Sequence, residues 1–198
     1  LGIARTPFFD TLDPDIEQAV RQAISLLTRL TAPPRDVTLP AYRGFTTITV
    51  AEMYAAQGAT YPKSKDLYQP TTRFILENGA RVTVPAYIEA RRELERVRRM
   101  IAGVFATVDV LVAPTTPGLP TSVDDALTDS GARGVPSLRN TSPFNSYGLP
   151  SISVPCGVSR SGLPIGLQIA GPPLGESIVL AVARAYERAT SWQRTPPV

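Results

Sequence analysis

Residues 109–113 read Asp-Val-Leu-Val-Ala, and this run decides the fold class. Four apolar residues follow one another without a polar break before Pro114 ends the run. A continuous apolar run of this length is typical of a strand that is buried on both faces, as in a parallel or mixed sheet. The run therefore predicts a strand inside a sheet, with a neighbouring strand on each side.

The residues before this strand predict helices. Apolar residues recur at spacings of three and four through the segment 87–108, which is typical of a long helix with one continuous apolar face. Near the start of the chain, Asp13 is a good N-cap, Pro14 suits the first helical position, and an apolar face follows through residues 16–30. Residues 1–5 predict a strand ahead of that helix.

Shorter elements are expected between these two helices. Residues 37–39 predict a short strand, and residues 46–59 predict a second helix with a weaker pattern. A loop that contains two prolines is expected over residues 60–71. A short helix through residues 73–76 should follow it and stop at Gly79, which is a suitable C-cap.

The residues after the apolar run predict a long loop, a hairpin and a last helix. Residues 114–142 are rich in Pro, Gly, Ser, Thr and Asp, and loops of that length often carry function. Apolar and polar residues alternate through 151–156 and through 165–169, which predicts an antiparallel hairpin with a long turn. The apolar face of the last helix is formed by Ile178, Val182, Ala185 and Ala189. Together the elements predict an α/β fold, a mixed β-sheet with helices on both faces.

The composition excludes several kinds of chemistry. The chain has 198 residues, no histidine and a single cysteine, Cys156. These residues therefore cannot build a Ser-His-Asp or Cys-His site, an internal disulfide or a pair of cysteine ligands. The formal net charge of +3 is small, so neither nucleic acid nor a membrane is expected as a partner. No metal or organic cofactor is indicated.

The first residue and the length of the apolar stretches bear on the whole protein. The chain begins at Leu1 and runs directly into a predicted strand rather than into a signal peptide. No apolar stretch reaches the length of a membrane span. We therefore expect a soluble, cytoplasmic protein whose true beginning lies upstream of Leu1.

Two sets of reactive side chains have a simpler interpretation. Lys63 and Lys65 flank Ser64, and a serine–lysine pair is a known catalytic device. The base of such a pair must be desolvated and within hydrogen-bond reach of the nucleophile. Adjacent residues in a polar loop do not provide that, so an exposed charged loop is the favoured interpretation. Cys156 lies on an apolar strand face with no histidine to deprotonate it, which favours a small buried hydrophobe.

The stretch 139–150 carries the densest set of hydrogen-bonding side chains. It reads RNTSPFNSYGLP and ends at the start of an apolar strand. A loop at the rim of an α/β sheet is where pockets form. The candidate substrate-binding residues are therefore Arg139, Thr141, Asn145 and Tyr147. In the alternative interpretation the Asn and Thr side chains satisfy their own turns, and the residues alone do not separate the two.

Two motifs in this region resemble a known family. Residues 145–157 read NSYGLPSISVPCG, and residues 162–171 read GLPIGLQIAG. Together they closely resemble the C-terminal signature of the amidase signature family. Residues 5–14, 87–91 and 109–117 are similar to further elements of that family in the same order and spacing. The resemblance therefore extends over nearly the whole chain.

The resemblance implies amide hydrolysis or amide-group transfer. Members of the family use a Ser–cis-Ser–Lys triad, in which a neutral lysine drives the nucleophilic serine through the middle serine. Those residues belong to the N-terminal half of the family's domain. This chain has no Gly-Gly-Ser-Ser-Gly-like loop, so neither Lys63 nor Lys65 inherits the role. The resemblance thus implies that residues 1–198 are the C-terminal portion of one amidase domain, which walls the acyl-side substrate pocket while the catalytic portion is absent.

Two positions bear on the kind of amide. Arg73 falls where the glutamyl-tRNA amidotransferase A subunit has an arginine that holds the substrate's carboxylate, which makes Arg73 a further candidate for substrate binding. A surface helix arginine is the alternative. In that amidotransferase, an aspartate that holds the substrate's amino group corresponds to Leu138 here. That departure argues against glutamine as ammonia donor and favours a general amidase with a less polar, small-molecule amide substrate.

Three hypotheses about function therefore stand side by side. The chain is part of an amidase-signature hydrolase, part of a glutamine-dependent amidotransferase, or a non-catalytic interaction module. In the family, some neighbours of the strand at 109–113 come from the N-terminal half. Without them we expect an open strand edge, and hence a homodimer.

Overall fold

The apolar run at the centre of the sequence forms the middle strand of a five-stranded sheet in the computed structural model, which describes residues 1–128 and 138–192. This strand, β3 (Leu111–Pro114), is buried along its whole length. It pairs in parallel with β1 (Gly2–Ala4) and antiparallel with β5 (Pro164–Ala170). The predicted position of the run inside a sheet is confirmed.

Two further strands form the edges of the sheet. β2 (Arg35–Val37) pairs in parallel with β1, and β4 (Ser151–Val158) pairs antiparallel with β5, which gives the order β2-β1-β3-β5-β4. The predicted antiparallel hairpin is confirmed, and β2 begins two residues before the strand predicted at 37–39. Both neighbours of β3 come from this chain. The expectation that β3 would lack neighbours and leave an open edge is therefore wrong.

Helices cover both faces of the sheet. α1 (Pro14–Leu30) and α8 (Glu176–Arg188) pack on one face, where their buried side chains meet those of β4 and β5. α5 (Val84–Val104) and α7 (Ser142–Tyr147) pack on the other face, against apolar residues of β1 and β3. The predicted mixed sheet with helices on both faces is confirmed.

Helix α1 begins where the sequence predicts. The side chain of Asp13 accepts a hydrogen bond from the backbone N–H of Asp15 at 2.9 Å, and Pro14 occupies the first turn, where no N–H is needed. Leu30, predicted to belong to the apolar face, is 42% exposed because it is the last residue of the helix. The rest of the predicted face is buried and comprises Ile16, Val20, Ala23 and Leu27.

The buried face of α8 differs from the predicted one. The structure buries Val179, Val182, Ala183 and Tyr186. These positions have spacings of three, one and three, which make one helix face once the tyrosine is counted as apolar. Ile178 is 36% exposed, and both Ala185 and Ala189 are exposed. The prediction omitted Tyr186, which is 2% exposed, and for that reason chose a neighbouring face.

Segments predicted to be loops contain helices. Residues 60–71 hold α3 (Tyr61–Ser64), a 3-10 turn and the start of α4 (Pro70–Gly79). Pro62 and Pro70 were expected to interrupt helices, but each stands in a first turn, where proline is favoured.

The long segment 114–142 is likewise not a continuous loop. It holds α6 (Val123–Thr128), and residues 129–137 lie outside the described residues. The stretch 139–150 contains α7, which again has a proline in its first turn. None of the helices in the described ranges is both long and apolar enough to cross a bilayer.

Three helices form a layer beside the sheet. α2 (Phe45–Gln57) packs on α5, and α4 packs on α2. The buried cluster between α2 and α5 consists of Ile48, Ala90 and Leu94. The backbones of α2 and α4 touch at Gly79, where a Cβ would lie 2.1 Å from the carbonyl oxygen of Val50. Only glycine permits that approach.

Candidate functional site

A cleft of about 660 Å³ opens at the carboxyl ends of β1 and β2. Residues that follow these two strands and the start of α2 form one side, and the segment that leads into and through α7 forms the other. Ligands of open α/β sheets bind outside the carboxyl ends of the strands, which makes this cleft the candidate site. Its lining includes Phe8, Tyr42, Arg43, Leu138, Arg139 and Tyr147.

Tyr147 joins the two sides of the cleft. Its hydroxyl donates a hydrogen bond to the carbonyl of Pro40, at 2.7 Å. Its ring meets the ring of Phe144 edge-on, with centroids 6.5 Å apart. Burial raises the pKa of Tyr147 to about 12, so the hydroxyl stays protonated and remains a donor at neutral pH. Tyr147 therefore fixes the chain that follows β2 against α7.

Asn140 connects the cleft to the sheet. The residue is fully buried, and its side-chain N–H₂ donates to the carbonyls of Phe8 at 3.0 Å and Pro114 at 2.8 Å. The side-chain amide of Gln168 in turn donates to the backbone carbonyl of Asn140, at 3.2 Å. Three segments, the turn after β1, the end of β3 and the strand β5, meet at this one residue.

The charged groups that line the cleft are two arginines. Arg139 donates from Nη2 to the carbonyl of Asp10 and from Nε to the side-chain oxygen of Asn140, at 3.3 Å. Arg43 is exposed and follows β2. Within the described ranges, Arg43 makes no hydrogen bond and no ion pair, and the described lining contains no Asp or Glu.

The structure brings two of the five predicted substrate-binding residues to the cleft. Arg139 and Tyr147 line it, whereas Thr141, Asn145 and Arg73 do not. Asn145 is exposed on α7. This places the polar stretch 139–150 at the rim of the sheet, as predicted, with only part of its side chains toward the cleft.

The remaining two candidates have local partners. The hydroxyl of Thr141 donates to the carbonyl of Leu138 at 3.4 Å, which agrees with the interpretation in which such side chains satisfy their own turns. The guanidinium of Arg73 lies on α4, with its Nη1 3.9 Å from a carboxylate oxygen of Asp66.

Sequence reasoning missed the side of the cleft formed by residues 38–46. These residues follow the carboxyl end of β2, so the rule that placed a pocket at the rim of the sheet applies to them equally. Tyr42 in this segment has a buried hydroxyl with no hydrogen-bond partner among the described residues. Burial, and after it the Glu93 carboxylate, raise the pKa of Tyr42.

The reactive side chains outside the cleft have the simpler roles. Lys63 and Lys65 are exposed, although in a short helix and a 3-10 turn rather than in a loop. Nζ of Lys65 lies 2.6 Å from the Glu77 carboxylate, whose hydrogen bond raises the pKa of Lys65. Cys156 is buried, and burial raises its pKa to about 12. The described residues contain no group of three or more acidic or cysteine side chains able to hold a metal ion.

Comparison with known proteins places this architecture. A family model described as Amidase matches residues 1–180. The chain belongs to the amidase signature family. An amidase from Pseudomonas putida is 34% identical over 206 residues, which cover 99% of this chain and 44% of that protein. The GatA-type component of a glutamyl-tRNA(Gln) amidotransferase from a Nostoc species is 32% identical over 225 residues, which cover 100% of this chain and 46% of that protein.

Solved structures of amidase-signature enzymes share the fold. A 6-aminohexanoate cyclic dimer hydrolase, solved with its substrate, superimposes with a TM-score of 0.77 at 26% identity over 98% of this chain and 46% of that one. A crystal structure of an amidase superimposes with a TM-score of 0.80 at 22% identity over 96% of this chain and 45% of that one. The resemblance based on residues 145–157 and 162–171 is confirmed. The chain spans less than half the length of these relatives.

Proposed function

We propose that residues 1–198 form the C-terminal portion of an amidase-signature hydrolase, which cleaves carbon–nitrogen amide bonds. The family match over residues 1–180 carries the proposal. In it, the chain completes the sheet, and its cleft holds the acyl side of a small-molecule amide. The position of the cleft at the carboxyl ends of β1 and β2 supports that role. No cofactor is part of the proposal.

We place the Ser–cis-Ser–Lys triad outside these residues. A lysine that acts as a base must lose its proton near neutral pH, which requires a lowered pKa. The Glu77 carboxylate acts in the opposite direction on Lys65, because it raises the pKa. Lys63 is exposed, in a polar segment without a serine nucleophile loop. The 44% share of the Pseudomonas putida amidase that the chain covers agrees with this placement.

Amide-group transfer is the second candidate, because several relatives are named as components of glutamyl-tRNA(Gln) amidotransferases. Leu138 weighs against it. This residue stands where the resemblance implies an aspartate for the amino group of glutamine. It lines the cleft and is 51% exposed. The described lining offers no other carboxylate to an ammonium group, so a less polar amide fits the cleft better than glutamine does.

The first test measures turnover by the pure 198-residue chain. We expect no hydrolysis of p-nitroacetanilide, a simple aryl amide, because loss of nucleophile and base costs several orders of magnitude in rate. Turnover that Lys63→Ala abolishes would contradict the proposal. The reading frame upstream of Leu1 gives an independent result. A glycine- and serine-rich loop with a lysine in frame supports the hydrolase, and a frame without them favours a non-catalytic interaction module.

The second test probes the cleft by titration calorimetry. Hexanamide is the ligand, because it joins an amide to an apolar chain. Leu138→Asp should weaken its binding severalfold, since a charge then stands in the apolar wall. Leu174→Asp is the matched control, because Leu174 is 91% exposed and outside the cleft lining. Glutamine binding to the unmodified chain that is tighter than hexanamide binding would favour the amidotransferase.

We further propose that the chain forms a homodimer and that the protein is cytoplasmic. β4 pairs with β5 on one side only among the described residues, and its Pro155 removes one backbone donor from an edge strand of eight residues. The free, buried Cys156 is typical of a reducing compartment. Sedimentation velocity should detect a dimer. A compact monomer at high concentration that binds no apolar dye would refute the dimer.

A further inference from the structure

The charge that lines the cleft has one sign. Arg43 and Arg139 contribute two positive charges, and the described lining contributes no negative one. The guanidinium of Arg139 is held by two neutral groups, the carbonyl of Asp10 and the side-chain oxygen of Asn140. Within the described part of the chain no carboxylate pairs with either arginine. Both charges are therefore available to a ligand in the cleft.

The two arginines differ in the donors that they have left. Arg139 uses Nε and one Nη within the protein, whereas Arg43 uses none among the described residues. A guanidinium with all its N–H groups free can bind a carboxylate through two parallel hydrogen bonds. The first turn of α2, beside Arg43, adds to the positive potential, because its N-cap Gly44 provides no side-chain acceptor for the backbone N–H groups.

We propose that Arg43 determines substrate specificity by binding a carboxylate on the amide substrate. The inference rests on the proposed function, in which the cleft holds the acyl side of the amide. The lining between the arginines is mostly apolar, with Phe8, Leu39 and Phe45 among its members. The substrate class that satisfies both features is a monoamide of an aliphatic dicarboxylic acid, whose apolar chain separates amide from carboxylate.

The test compares two amides of equal chain length by titration calorimetry with the 198-residue chain. Adipamate carries a carboxylate, and hexanamide does not. Adipamate should bind about fivefold more tightly, which is the upper range for an ion pair that stays in contact with water. Arg43→Gln should abolish that difference, and Arg43→Lys should retain part of it. Arg92→Gln is the matched control, because Arg92 is an exposed arginine of α5 outside the cleft lining.

Salt provides a second readout that a structural role would not change. Added salt should weaken adipamate binding and leave hexanamide binding unchanged, because salt screens exposed charges. Equal affinity for the two amides would overturn the role of Arg43 and leave the proposed function intact. An equal loss of both affinities in Arg43→Gln would also overturn that role. Binding of neither amide to the unmodified chain would contradict the proposed function as well.

Discussion

Replacing Asn140 by alanine should destabilise the protein far more than any change on the exposed surface of α7. The alanine loses the two hydrogen bonds that the side chain donates to the carbonyls of Phe8 and Pro114, at 3.0 and 2.8 Å. The residue is fully buried, so neither carbonyl gains bulk water in exchange. The hydrogen bond from Gln168 to the Asn140 backbone is not removed by this change.

The expected loss in the free energy of unfolding is about 2–4 kcal/mol. Each hydrogen bond contributes about 1 kcal/mol, and a buried carbonyl left without a donor costs about 1–3 kcal/mol. A water molecule in the space left by the side chain recovers part of that cost. Asn140→Asp keeps the size of the side chain but places carboxylate oxygen beside the two carbonyls. Its destabilisation should be larger at about pH 7 than at about pH 4, because the buried carboxyl has a raised pKa and is penalised when ionised.

Urea unfolding followed by far-UV circular dichroism measures these differences, provided that the m-value is unchanged. Asn145→Ala is the matched control. Asn145 is exposed, lies five positions away, and donates no side-chain hydrogen bond among the described residues, so its loss should stay within about 0.5 kcal/mol. A loss below about 1 kcal/mol for Asn140→Ala, or one equal to the control, would refute the reasoning.

Three further predictions concern the core, the cysteine and one ion pair. Leu27→Ala should cost about 2–5 kcal/mol of unfolding free energy, because Leu27 is fully buried, whereas Leu30→Ala, at a site 42% exposed, should cost under about 1 kcal/mol in the same urea assay. The pKa of Cys156, raised to about 12 by burial, should make the native thiol react with a disulfide reagent at about pH 8 orders of magnitude more slowly than the unfolded chain does. The pKa of Glu77 is lowered, first by the hydrogen bond from Lys65, so Glu77 stabilises the fold above the usual carboxyl range and loses that effect on acidification. The stability gap between the unmodified chain and Glu77→Gln should therefore close as the pH of the unfolding assay falls below about 4, and a gap that stays constant would contradict this.

The features that the sequence predicts correctly are those with a local or periodic cause. The central strand follows from one uninterrupted apolar run, and the start of α1 from the cap Asp13 and the proline beside it. The wrong predictions also have local causes. Pro62 and Pro70 were treated as breaks although they begin helices, and the omission of Tyr186 displaced the face of α8.

The candidate site was predictable only in part, because its two sides come from distant segments. Polar density pointed to the α7 side, which includes Arg139 and Tyr147. The side that contains Arg43 requires knowledge that β2 lies next to β1, which no local pattern encodes. The role of Asn140 depends on partners 132 and 26 residues away in the chain, so only the folded structure reveals it.

The layer of α2 and α4 makes one wall of the cleft softer than the other. α2 brings Phe45 and Thr46 to the cleft, yet its buried contacts with α5 consist of a small cluster around Ile48. Elements with few buried contacts open locally at a lower free energy than a central strand does. Amide protons of α2 should therefore exchange with solvent through openings during which β3 stays protected. The cleft consequently combines a rigid wall, held to the sheet by Asn140, with a yielding wall that adapts to ligands of different length while the sheet remains intact.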